Sequence, residues 1–492
     1  MELFNLLDKA IPVFGQTFDV SLNWIGQLIR WLVAGVGIVG VGIILFSLGL
    51  KLVVLPFDIY QRVAMRKQNQ KMKDQKDRME KLQKQYANDK QMYNQKLMEM
   101  YKENGISMFS SCLPMILSMV IFFVAIGAFN AYARYSSVDS YNDMVRAYKT
   151  EIRTNCPDLD DDNISFADNK IVVKGTADDP NAYIYYKVNN TENYSAETDK
   201  ETVKAYINAQ IEKDTVTEYY IDSAKVSANA EVMADVSALI SVDADVSTPE
   251  KQAAATEQAM YDYFVSKAQV AVRVNYENNG AEKTKFLWIK NIWMTDASYK
   301  SPVADDFETF ETEIKSAKFR VDGEKIKYGD LGTKTGTLVY TTDAYDLITK
   351  KLDAPKEAAN GYYILIVLSI ATILLQQFVS MRSQKEQQKY STVDGQGASQ
   401  QKMMMVVMTG MFAIFSFMYS EAFSIYMVTS NIFSLLSTII INKLVDRKME
   451  KQEATTTAVK MDNRRLSRIE AAKNAGKTSA QNTRERKNKD GK

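Results

Sequence analysis

"GVGIVGVGIILFSLGLKLVVLPF" runs from Gly35 to Phe57 and can be read in three ways. Gly35, Gly37 and Gly40 spell the letters of a dinucleotide-binding turn, the apolar run is long enough for a buried core helix or a membrane span, and a single lysine, Lys51, interrupts it. The dinucleotide fingerprint needs a strand before its glycines and a helix after them. Here the glycines lie inside an apolar stretch, residues 31–57, broken only by Ser47 and Lys51, so small residues at a helix-packing face explain them better. A bilayer core takes about 20 apolar residues per helix. The stretch therefore reads as a membrane span that carries a charge.

Further apolar runs follow at 108–132, 361–381 and 403–442, the last broken near "YSEA" (Tyr419–Ala422). Five spans are expected, at 31–57, 108–132, 361–381, 403–419 and 423–442. Segments this long and this free of charge argue against the core helices of a soluble protein. Charge supplies the orientation, because lysine and arginine concentrate in cytoplasmic loops. Residues 58–107 hold 12 basic against 7 acidic residues, 382–402 hold 4 against 2, and the tail 443–492 holds 15 against 7. These three segments alternate correctly with five spans. Residues 136–360 hold 40 acidic and 26 basic residues, so this inserted segment is expected outside the cell with the N-terminus, and the C-terminus in the cytoplasm. A multi-pass protein of the cytoplasmic membrane follows.

The chain has no histidine, which excludes histidine-based triads, general bases and metal sites. Two cysteines, Cys112 and Cys156, cannot build a disulfide framework, and they fall on opposite sides of the expected membrane, so no bond between them is predicted. No catalytic, cofactor or metal motif is found, and the chain does not read as an enzyme.

Between the spans, the organisation is mixed. Residues 1–30 lack a basic leader and hold a predicted interfacial helix at 19–31, with Trp24, Ile25, Leu28, Ile29 and Leu32 on one face. Residues 58–107 read as a cytoplasmic helical hairpin. Met65, Met72, Met79 and Tyr86 recur every seven residues, Asn88-Asp89 breaks the run, and Tyr93, Leu97 and Tyr101 repeat every four. Residues 136–360 read as an inserted α+β domain: "NKIVVKG" and "AYIYYKVN" as strands, 197–213 and 250–268 as helices, and Asn279-Gly280 as a hairpin turn between strand-like runs. The polar, basic tail 443–492 has few apolar residues.

Lys51 is the informative residue. An ammonium at the centre of a membrane helix costs about 2.5–3.5 kcal/mol. Either it snorkels along its stem to the nearby interface, or it faces a polar cavity. Ser47 stands one turn before it. Thr372 and Gln376, with Gln377 beside them, mark a polar stripe in the third span. Asn431, Ser434 and Ser437, with Ser430 and Thr438, mark another in the fifth. Three such stripes favour a hydrophilic groove in which Lys51, without an acidic partner in the first three spans, awaits an acidic visitor.

The same residues carry a resemblance. "KLVVLPF", "LQKQYANDKQMYNQKLMEMYKENGISMFSSCLPMILSMVIFF", "FLWIKNIW", "YYILIVLSIATILLQQ" and "YSEAFSIYMVTSNIFSLLSTIII" resemble, in order, stretches of the YidC/Oxa/Alb membrane protein insertases, in a bacterial Gram-positive-like form. The resemblance covers most of 25–135 and 361–448. It implies an all-α polytopic fold with five helices around a hydrophilic groove. It also implies an insertase for nascent membrane proteins, working in the lipid bilayer alone or with the Sec translocon; separately, the charge of the basic tail suits it to the RNA of the ribosome. Lys51 stands where the family's groove carries a positive charge, usually arginine, five residues before a proline, here Pro56. Gln377 falls at the family's glutamine after "YYIL", whereas the stripe spacing favours Gln376. Asn431 matches the family's "SN", and Ser437 stands where glutamine is frequent. Ser118 and Val120 replace a common glutamine and proline. The large insertion between the second and third spans is a departure. A solute or ion transporter would usually show internal repeats, which are absent from this sequence. A surface receptor would depend on the inserted domain.

Overall fold

The structure, a computed structural model, describes residues 9–105, 113–216, 218–241, 244–336, 339–383 and 396–445, with isolated positions beyond. Cys112, Ser118 as a side chain, and most of the tail lie outside what is described. Two compact units divide the chain: Met1–Ser47, Val120–Ala371 and Gly410–Val428 form the first; Leu48–Met119, Thr372–Thr409 and the residues from Thr429 onward form the second.

The principal helices are α1 (Trp24–Val36), α2 (Val39–Asp74), α3 (Lys76–Gln85), α4 (Lys90–Glu103), α5 (Leu113–Arg153), α6 (Lys200–Glu212), α7 (Pro249–Asn275), α8 (Phe307–Ile314), α9 (Thr342–Thr349), α10 (Ile364–Ser383), α11 (Gln396–Met418) and α12 (Glu421–Val445). Among the described residues, four segments are long and apolar enough to cross a membrane: Val39–Ala64, Met119–Arg153, Ile364–Arg382 and Glu421–Val445. Trp24–Val36 and Thr409–Met418 are shorter apolar helices. The protein is a mostly helical, multi-pass membrane protein with added antiparallel sheet.

The glycine-rich run is a helix junction. Gly37 adopts φ 75° and caps α1, its N–H donating to the Val33 carbonyl. A Cβ on Gly42 would meet the Val33 backbone at 2.9 Å, and one on Gly40 would enter the Phe286 ring. These glycines let α1 and a loop ring approach α2 closely. The element that leads into them is the helix α1 and not a strand, so the dinucleotide reading is excluded. On α1, Ile29 is buried while Trp24 and Trp31 are exposed.

In the first unit, β1 (Ala10–Ile11), β2 (Asp19–Val20), β3 (Ile164–Ala167), β4 (Lys170–Val173), β5 (Ile184–Asn189), β6 (Glu218–Ile221), β7 (Lys318–Val321) and β8 (Glu324–Lys327) form two antiparallel sheets, β1-β6-β5-β4-β3 and β2-β7-β8. Alternation sets the buried face: Ile171 and Val173 on β4, and Tyr219 and Ile221 on β6, point inward. Asp168-Asn169 and Asp322-Gly323 take positive φ, as two-residue hairpin turns require. The expected hairpin at Asn279-Gly280 is not there. α7 continues through Tyr276–Gly280 as a π-turn into Ala281–Thr284, and Gly280 has φ −64°. Met260, Phe264, Ala268, Val272 and Tyr276 are all buried. That four-residue spacing is a helix face, and it overrides the local Val-Ala-Val alternation.

An aromatic core lies among the apolar helices of this unit. Phe122 packs against Phe412, Phe415 and Phe423 with ring centroids 4.7–5.6 Å apart, and Phe129 against Phe46 and Tyr426 at 5.7 Å. A polar clasp fixes the starts of α10 and α12. The fully buried Asp296 carboxylate accepts from the Tyr362 and Leu365 N–H groups at 2.6 and 2.7 Å, capping α10 from a distant loop. Its own N–H donates to Glu421 Oε1 at 2.7 Å. Asn360, also fully buried, donates to the Asn291 and Thr295 carbonyls.

In the second unit, α3 and α4 pack together. Met72, Met79, Met100 and Tyr101 are buried in one cluster with Leu82 and Leu97 against it. Asp89 caps α4 by accepting from Met92 N–H at 3.0 Å. Arg78 bridges to Glu103 at 3.1 Å.

Candidate functional site

α2 does not stop where the apolar run stops. It passes Pro56 and continues to Asp74. Pro56 has no N–H to donate, so the carbonyl one turn earlier loses its helical partner. At 3.6 residues per turn, positions 51 and 58 are offset by only about 20° and position 62 follows one turn later, so Lys51, Asp58 and Arg62 form one row. All three are half-buried. Asp58 interacts electrostatically with both cations. Lys51 thus has an acidic neighbour on its own helix, one residue beyond the expected end of the span.

Arg62 fixes this row to α12. Its Nη2 donates to Thr438 Oγ1 at 2.5 Å and its Nη1 to Asn442 Oδ1 at 3.2 Å. The Thr438 hydroxyl in turn donates to the Ser434 carbonyl at 2.6 Å, which leaves its lone pairs for the guanidinium. Asn431 stands on the same polar stripe. Its Nδ2 donates to Thr372 Oγ1 of α10 at 3.4 Å. Thr372, Asn431, Ser434, Thr438, Asn442, Arg62, Asp58 and Lys51 all belong to the second unit. They bring polar groups from three apolar helices together.

The remaining expected residues sort by their bonds. Gln376 follows Thr372 by one turn and is half-buried. Gln377 Oε1 accepts from Thr409 Oγ1 of α11 at 2.8 Å. Ser437 turns back along α12 and donates to the Ser434 carbonyl at 3.1 Å. Ser430 is buried, and its hydroxyl has no hydrogen-bond partner among the described residues. Ser47 belongs to the first unit, is fully buried, and donates to the Ile43 carbonyl at 2.7 Å. Asp58 and Arg62 were not anticipated. The signal that finds them is spacing along α2: 51, 58 and 62 share a face once the helix is allowed to run on.

The sequence profile of the 60Kd inner membrane protein family matches residues 31–167 and 258–449. The chain belongs to this family. Three curated relatives, each named membrane protein insertase YidC, are similar to it. The one from Caldanaerobacter subterraneus subsp. tengcongensis is 34% identical over 114 residues, 23% of this chain and 53% of the relative. The Fusobacterium nucleatum protein is 36% identical over 92 residues, 19% of this chain and 43% of the relative. The Clostridium perfringens protein is 34% identical over 118 residues, 23% of this chain and 48% of the relative. The chain spans about half the length of the curated relatives it matches. No solved structure matches it. The family match passes over residues 168–257, which hold β4, β5, β6 and α6.

Proposed function

We propose that this chain is a membrane protein insertase that assists nascent membrane proteins into the bilayer without a chemical step, alone or with the Sec translocon. The observation that carries the reading is the polar row of the second unit, Lys51-Asp58-Arg62 on α2 facing the Thr438/Asn442 stripe of α12, within helices otherwise apolar. Family membership and the insertase names of the relatives support it. Five spans, with α11 as the fourth, put the N-terminus and residues 136–360 outside and the basic tail in the cytoplasm. The groove then opens to the cytoplasm and is lined by Lys51, Thr372, Gln376, Asn431 and Ser434, with Gln377 and Ser437 as flanking positions.

The mechanism is transient solvation. A hydrophobic segment of the substrate slides between apolar helix faces while its short acidic flank enters the groove. An ion pair at 4 Å and an effective dielectric near 20 contributes about 4 kcal/mol. That is comparable with the cost of bringing one charge into the membrane, so the barrier falls without a deep trap. Arg62 is committed to two side-chain bonds on α12, so the visiting carboxylate is assigned to Lys51. The α3–α4 hairpin, whose Met92 and Met98 are exposed, receives substrate on an adaptable surface, and the basic tail draws the ribosome by its RNA phosphates.

The test is rescue of an insertase-depleted cell by Lys51→Arg, Lys51→Ala and Lys51→Glu, reading integration of a small single-span protein with an acidic flank. Arginine should restore integration and glutamate should lower it by about tenfold or more. Integration at the unsubstituted level by the glutamate variant refutes the groove mechanism.

A further inference from the structure

Asp58 has no place in the mechanism just described, yet it stands between its two cations. The register of α2 puts it two turns after Lys51 and one turn before Arg62, on the same face. Arg62 is immobilised by Thr438 and Asn442 at 2.5 and 3.2 Å, so the row cannot rearrange by swinging the guanidinium away. Asp58 is half-buried and acts on both neighbours. A carboxylate so placed resembles the acidic flank that the groove is built to receive.

We propose that Asp58 is a specificity-determining residue of the groove: an internal carboxylate that tempers the field of Lys51 and Arg62 and competes with the acidic flank of the substrate. The inference rests on the insertase reading and deepens it. With Asp58 in place the row carries two positive charges and one negative. Neutral flanks can then enter, and acidic flanks leave again once the segment has moved into lipid. Without it the row carries two uncompensated positive charges. Acidic flanks should be held longer and basic flanks turned away.

The experiment uses the full chain in proteoliposomes and three reporters of one single-span protein, whose translocated flank carries two aspartates, no charge, or two lysines. Asp58→Asn should raise the ratio of acidic-flank to basic-flank integration about tenfold and prolong cross-linking of the acidic reporter to the groove. Asp58→Glu should behave as the unsubstituted protein. Asp58→Ser serves as a second neutral variant if the asparagine form does not accumulate in the membrane. Lys51→Glu separates the two levels of the argument. If Lys51→Glu shifts the ratio and both neutral variants at 58 leave it within twofold, the role of Asp58 is overturned and the groove stands. If Lys51→Glu also leaves it unchanged, both fall.

Discussion

Gly361→Ala should damage this protein far more than a single methyl group suggests. A Cβ at position 361 would lie 1.8 Å from Asp296 Oδ1, 2.8 Å from its Cγ and 2.9 Å from its Cα. The last distance is to backbone, so rotating the Asp296 side chain does not clear the clash. The loop bearing Asp296 must move as a whole. It then releases two charge-assisted bonds, from Tyr362 and Leu365 N–H, and weakens the bond from its own N–H to Glu421. Hydrogen bonds to charged groups contribute about 1.5–3 kcal/mol each, so the loss of two comes to roughly 3–6 kcal/mol. For a domain of this size that lowers the thermal midpoint on the order of 10 °C. The assay is thermal unfolding of the full chain in nanodiscs, with Asp296→Asn as a partner that keeps the shape but weakens the bonds. Asp296→Asn should fall between the two. If Gly361→Ala unfolds within 2 °C of the unsubstituted protein, the clasp is not what orders the start of α10.

Glu313 on α8 lines a cavity of about 40 Å³ with Ser136, Ser140, Asn291 and Tyr345, and its Oε2 accepts from Ser137 Oγ at 2.9 Å. Burial pushes its carboxyl up to about 7 from 4.5, against the opposing pull of the Ser137 hydroxyl and Lys300. The folded state therefore holds this proton more tightly. Its stabilisation is complete below about pH 4.5 and is lost as pH rises through about 7. Denaturant unfolding should show stability declining from pH 5 to pH 8, on the order of 2 kcal/mol, and Glu313→Gln should flatten the decline. Gly40→Ala should destabilise by about 1–3 kcal/mol through overpacking against Phe286. Phe286→Ala should recover most of that loss in a double-mutant cycle, and additive effects would contradict the contact.

Hydrophobic length and charge made the apolar helices legible, because a bilayer imposes a minimum run and excludes charge from it. Local alternation likewise gave β4 and β5, found at Lys170–Val173 and Ile184–Asn189. Where those signals are absent or conflict, the sequence misleads. Val270, Val272 and Val274 alternate like a strand, yet α7 buries every fourth residue and stays helical through Asn275. Residues 31–57 look like one element because glycine is apolar by composition. Its backbone freedom, used at Gly37, ends α1 and starts α2 afresh. Asp58 escapes a reading by hydropathy for a related reason: hydropathy ends the span where the apolar run gives way to polar sequence, whereas hydrogen bonding carries α2 on to Asp74. Arg62 was passed over as a loop cation, although its partners Thr438 and Asn442 sit on the stripe already read in the fifth span.

β1 pairs Ala10 with Tyr220 and Ile11 with Tyr219, while β2 pairs Asp19 with Arg320 and Val20 with Phe319. β1 and β2 therefore close the edges of their sheets through partners some 200 and 300 residues further along the chain. Such pairings carry a large loop-closure cost and form late. Until β6 and β7 have been synthesised, β1 and β2 have no ladder to join and must remain unpaired.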